Sequence, residues 1–290
     1  MKPIIKKILF WILAALITIG ASYYQRKTGP TYPVDITIAS QTGAYEFELP
    51  RSNGESDCEV RMTLPESFSG NLLFRRFPTQ EPWDTLQLIR DNGDLVAFLP
   101  NQPPAGKLEY HLELKENNDP VELGLKENTV VRFKGDVPAW ALIPHIAFMF
   151  FAMLWSNATG IQAAAGIDSY KRNALITFIL FLVGGMILGP IVQKYAFGAY
   201  WTGWPFGEDL TDNKVLGSVI VWIVAILLNR RKDRRWLVIL ASLVLFAIYM
   251  IPHSARGSEL DYSTGEVITG TLMLAALLPR AFQNRFIRAK

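Results

Sequence analysis

Two hydrophobic periods divide this chain. Long apolar runs with almost no charge occupy residues 8–24, 139–156, 174–193, 215–229, 236–251 and 266–282. A bilayer core of about 30 Å is crossed by about 20 helical residues, so the runs predict about six transmembrane helices. The last three are short for that distance. They are expected to recruit loop residues or to lie where the bilayer thins.

Between the first two runs the period falls to two. Residues 45–49, 58–64 and 108–114 alternate apolar and polar positions, and 34–39, 72–77, 85–89, 95–99 and 130–133 are further strand candidates. Ser52-Asn53-Gly54, Ser69-Gly70, Asp91-Asn92-Gly93 and Pro103-Pro104-Ala105-Gly106 supply the turns between them. Seven to nine short strands in this stretch read as an all-β sandwich inserted into a polytopic α-helical protein. Leu99-Pro100, the 103–106 turn and Leu108-Glu109-Tyr110-His111-Leu112 together resemble the tyrosine corner of immunoglobulin-like and fibronectin-like sandwiches. That resemblance implies a Tyr110 hydroxyl bonded back to upstream backbone. The expected organisation is an anchor over 1–24, a β-sandwich over 25–138, and a five-helix membrane domain over 139–290 with polar loops at 194–214 and 252–266.

Charge orients the chain. Arg230-Arg231-Lys232-Asp233-Arg234-Arg235 sits between two apolar runs, and such basic blocks stay on the cytoplasmic side during insertion. The inner segments then hold 14 Lys and Arg against only Asp168 and Asp233, whereas the outer loops hold Lys194, Lys214 and Arg256. This places both termini in the cytoplasm and 25–138 outside, with a bacterial inner (plasma) membrane as the expected location. The first run reads as an uncleaved anchor, the alternative being a secretory signal ending near Gly20-Ala21-Ser22. The overall charge of +3 averages two opposite faces and is no argument for nucleic acid. Residues 31–137 hold 18 acidic and 10 basic residues, a balance of −8 that attracts basic protein partners or cations. The lone Cys58 excludes an intrachain disulfide.

Candidate chemistry gathers in the two outer loops. Trp201 and Trp204 suit an aromatic belt at the headgroups. Glu208, Asp209 and Asp212 precede the fourth run, where a helix N-terminus favours negative charge and where Thr211 or Asp212 is the expected cap. Glu259, Asp261 and Glu266 precede the sixth, with Glu266 in its first turn. His145 lies one to two turns inside the second run, with Met149 and Met153 on its face, and His253 closes the fifth. Imidazole with thioether suits copper or a haem iron, and imidazole with carboxylate suits zinc. His111 reads as an ordinary strand residue. Phosphate-loop, CxxC, HExxH and GxSxG signatures are absent. One reading is therefore an outward-facing polar site holding a metal ion or small cofactor, with metal-assisted hydrolysis or electron transfer as its chemistry. The other is a non-enzymatic assembly or sensing protein whose β domain binds a partner.

Overall fold

The structure, a computed structural model, describes residues 3–40, 43–125, 127–252 and 258–268. It divides into a helical unit (3–30, Val137–Tyr195 and 199–252) and a β unit (Thr31–Asp136, Ala196–Gly198 and 258–268).

The helical unit contains α1 (Pro3–Thr28), α2 (Ala139–Ala164), α3 (Tyr170–Phe181), α4 (Gly189–Phe197) except its last two residues, which count with the β unit, α5 (Leu210–Arg231) and α6 (Arg235–Met250). A π-helical turn over Leu182–Leu188 joins α3 to α4 without a break. Among the described residues, four helical stretches are long and apolar enough to cross a membrane: Ile4–Thr28, Ala139–Ala164, Tyr170–Phe197 and Leu210–Arg231. Hydropathy underestimated them, because helices continue past the apolar core into polar ends. The fourth run, 15 residues by hydropathy, becomes the 22-residue α5, whereas α6 stays short at 16. The sixth run lies almost wholly outside the described residues. Its first residue, Glu266, does not open a helix: Val267–Ile268 is a short strand.

The Gly184-Gly185-x-x-x-Gly189-Pro190 stretch predicts close helix approach followed by a kink or exit. The approach is present: a Cβ on Gly184 would lie 3.0 Å from the Met149 sulfur and 3.0 Å from Phe148 Cβ. The exit is not, since the helix runs on to Phe197. Pro190 lacks an N–H and its ring opposes regular i−4 bonding. The π turn absorbs this by letting Gly189 N–H reach the Gly184 carbonyl, five residues back.

Polar pairs tie α2 to its neighbours. Asn157 Nδ2 donates to Thr18 Oγ1 of α1 at 3.0 Å, Thr159 and Thr177 of α3 share a 3.3 Å hydroxyl contact, and Asn173 Nδ2 donates to Gln162 Oε1 at 2.8 Å. Ser242 of α6 donates to the Ser156 carbonyl at 2.7 Å. All of these side chains are buried. Within apolar surroundings such pairs fix which helix faces meet, as well as adding modest stability.

The β unit contains β1 (Val34–Ser40), β2 (Gly43–Leu49), β3 (Ser52–Asn53), β4 (Cys58–Met62), β5 (Phe68–Arg76), β6 (Asp84–Gln87), β7 (Ile89–Asp91), β8 (Asp94–Leu99), β9 (Lys107–Glu116), β10 (Asp119–Val121), β11 (Thr129–Phe133), β12 (Glu259–Leu260) and β13 (Val267–Ile268). One sheet has the order β3-β11-β9-β5-β6 with β10 also on β9, a second has β4-β8-β7, and β1-β2 and β12-β13 are hairpins. The described residues of 34–133 thus form eleven strands, against the seven to nine expected. The candidate at 85–89 is two strands, β6 and β7, which join different sheets. Period-two alternation turns Ile36, Ile38, Val60, Leu72, Leu99, Leu108, Tyr110, Leu112 and Val131 into one core shared by the two larger sheets and the β1-β2 hairpin. Arg90 closes the base of the core, its guanidinium donating to the carbonyls of Leu64, Pro65, Phe68 and Gly93. Tyr110 OH donates to the Pro50 carbonyl at 2.8 Å. It reaches upstream backbone just after the end of β2.

Candidate functional site

The loop before α5 is folded around two carboxylates. Asp209 is the N-cap: its side chain accepts from the backbone N–H groups of Thr211 at 2.7 Å and Asp212 at 3.3 Å. The cap is therefore neither Thr211 nor Asp212, as the sequence suggested. Asp212 serves the loop instead. Its Oδ2 accepts from Thr202 N–H at 2.6 Å, from the Thr202 hydroxyl at 3.2 Å and from Gln193 Nε2 at 3.2 Å. Both acids are buried. Asn213 Oδ1 accepts from Trp204 N–H at 2.7 Å, and Trp201 Nε1 donates to the Trp204 carbonyl at 3.1 Å. Gly203 is required by this closeness, since a Cβ there would lie 2.6 Å from Asp212 Cβ. Glu208 is exposed, as are Trp204 and Phe206.

His145 sits where α2 meets the π turn, with Nδ1 2.9 Å from the Gly184 carbonyl. A carbonyl only accepts, so Nδ1 carries the proton and Nε2 of the neutral ring keeps its lone pair. Near Met149 a cavity of about 20 Å³, room for one water, is lined by Phe181, Thr211, Lys214, Val215, Ile248 and Tyr249. Met153 is buried in helix packing. His253 lies outside the described residues.

The remaining predicted residues belong to the β unit. Glu259, buried, forms an ion pair with Lys107. Burial pushes the Lys107 ammonium below its ordinary range, and the Glu259 carboxylate opposes that push. Arg132 donates to the Ser258 carbonyl at 2.5 Å and stacks over the Phe197 ring at 4.1 Å. Tyr262 OH both accepts from Lys107 N–H at 2.9 Å and donates to the Lys107 carbonyl at 2.8 Å. Burial raises that phenol to about 12. Asp261 accepts from the Ser263 hydroxyl and backbone N–H, which hold its carboxyl below the usual range. Glu266 is exposed, its N–H donating to Thr264 Oγ1 at 3.2 Å.

The structure thus brings Asp209, Asp212, Trp201 and Trp204 together in the helical unit, and Glu259 and Asp261 together in the β unit. His145 bonds to neither group. Among the described residues no three of His, Cys, Asp and Glu gather as a metal-binding set. A feature that sequence reasoning missed is a cleft of about 370 Å³ beside His111, lined also by Leu112, Glu122, Glu127 and Asn128. Its only sequence signal is the Gly124 interruption between two strands. Comparison of the chain with protein families, with curated proteins and with solved structures gives no match.

Proposed function

We propose that this is a multi-pass membrane protein whose acidic β unit holds a basic partner protein. In this reading about six helices cross a bacterial inner membrane with both termini in the cytoplasm. The β unit, an immunoglobulin- or fibronectin-like sandwich, lies outside. The observation that carries the proposal is the register of the β1-β2 hairpin. Asp35 is paired directly opposite Glu48, two rungs away from Thr37 opposite Glu46, and all four are exposed. Like charges opposite one another destabilise a ladder, and a cationic partner removes that repulsion. The carboxylates that a metal or cofactor site would draw on support the same preference. Asp209 and Asp212 have loop N–H groups as partners, and Glu259 has Lys107.

The test uses full-length protein in zwitterionic nanodiscs. It should bind immobilised oligolysine more tightly than oligoglutamate, with affinity falling as salt rises. Glu46→Lys/Glu48→Lys should abolish the difference. Equal binding to both surfaces overturns the proposal. One tightly bound metal per chain, or a Soret band, would favour instead a cofactor held through His145 or His253.

A further inference from the structure

The cleft beside His111 exists because strand β9 is incompletely covered. On one side it pairs with β5 throughout, from Leu108 opposite Arg76 to Glu116 opposite Phe68. On the other side β11 reaches only Lys107–Tyr110, and β10 only Leu114–Glu116. His111, Leu112 and Glu113 have no strand there among the described residues. Residues 122–125 and 127–128 form no strand there, and they line the cleft that fills the gap.

Backbone direction follows from the flanking bonds. Phe77 N–H donates to the Lys107 carbonyl on the β5 side, and Phe133 N–H donates to the Gly106 carbonyl on the β11 side. With the β5 register unbroken, odd positions of β9 face β5 and even positions face the gap. Leu112 therefore presents its N–H and C=O to the cleft, while its side chain is buried in the core. The rim carries two exposed carboxylates, Glu122 and Glu127. The His111 ring borders the cleft, edge-on to Trp83 at 4.6 Å, with Nδ1 buried and making no hydrogen bond.

We infer that this cleft receives a basic side chain from an extended segment of the partner protein. The inference rests on the reading of the β unit as a module for a basic partner, and names where the contact is specific. A main-chain donor and acceptor at Leu112 suit an extended peptide, as in strand addition. Two carboxylates beside the Leu112 carbonyl suit a guanidinium or ammonium, whose N–H groups need acceptors, with the His111 ring bordering the same cleft. The length of the gap limits the strand-like contact to about one residue.

The probe is a short, N-acetylated and C-amidated extended peptide carrying a single arginine, labelled with fluorescein. Its controls have glutamine or glutamate at that position. Titrated by anisotropy with full-length protein in zwitterionic nanodiscs at about 0.3 M salt, where long-range attraction is screened, the arginine peptide should bind at least about tenfold more tightly than either control. Glu122→Gln/Glu127→Gln should remove that preference, and His111→Gln should weaken it, each with unchanged thermal unfolding. Binding of the arginine peptide that is indifferent to these substitutions overturns the cleft. So does failure of the arginine peptide to bind while oligolysine still binds, an outcome that leaves the acidic-module reading standing. Failure of both peptides removes the module and the cleft together.

Discussion

Asp212 is the residue on which the loop before α5 depends. Replacing it by alanine leaves Thr202 N–H without its acceptor in a partly buried setting and takes one of two acceptors from the Gln193 amide, at a cost of about 1–3 kcal/mol. Asp212→Asn retains an acceptor oxygen and should cost less. Thermal unfolding followed by tryptophan fluorescence checks the order; equal stability of Asp212→Ala and the parent would show the contacts to be idle. A second residue-scale outcome concerns Cys58, whose thiol is buried and pushed up to about 12 by that burial. Since the thiolate is the reactive form, iodoacetamide at pH 8 should leave native protein unlabelled and label it fully in denaturant. The sequence showed that acids cluster before α5, but not which one caps it. Asp209 and Asp212 both stand where a helix starts. The choice between them is made by Thr202 and Gln193, which lie 7–19 positions upstream and come near only in the fold.

At the level of elements, α2 carries the polar pairs to α1, α3 and α6, and it approaches α6 closely at Gly160. A Cβ on Gly160 would lie 2.8 Å from Ser242 Cβ. Gly160→Ala should therefore destabilise the helical unit through overpacking, by about 1–3 kcal/mol. The double variant Gly160→Ala/Ser242→Gly should recover much of the loss, read as resistance to unfolding in mixed micelles. If the second substitution adds to the damage, the two helices do not meet there. Asn157→Ala should cost less, about 0.6 kcal/mol by the average for hydrogen bonds between membrane helices. Helices were legible because a sustained apolar run has few other homes. Their ends were not, because polar helical turns resemble loops in composition. The long strands were legible through alternation, as at β4 and β9. Those of two or three residues, β3, β7, β10, β12 and β13, carry too little pattern and exist because a partner strand supplies their register.

For the whole molecule, the unexpected feature is that the β unit is discontinuous. Residues 258–266, part of the 252–266 stretch read from sequence as a polar outer loop with ligands, and Val267–Ile268, read as the start of the sixth run, fold as the β12-β13 hairpin of that unit. Leu260 N–H donates to the Ala105 carbonyl at 3.2 Å, and Tyr262 and Glu259 both hold Lys107. Local sequence could not reveal this, since the pairing partners lie about 150 positions upstream. Breaking one side of the buried pair, as in Glu259→Ala, should loosen the hairpin by about 3–5 kcal/mol, because it strands Lys107 without its counter-charge. The turn of the same hairpin adds a pH dependence whose sign is fixed. Ser263 holds the folded pKa of Asp261 below its unfolded value of about 3.9. The unfolded turn therefore binds its proton first as pH falls, and the stabilisation present above about pH 4 fades through the folded pKa. Hydrogen exchange of residues 259–268 should accelerate in that acid window relative to the intrinsic rate, and Asp261→Asn should flatten the response. An Asp261→Asn protein that retains the full acid-induced loosening would place the titrating group elsewhere in the β unit.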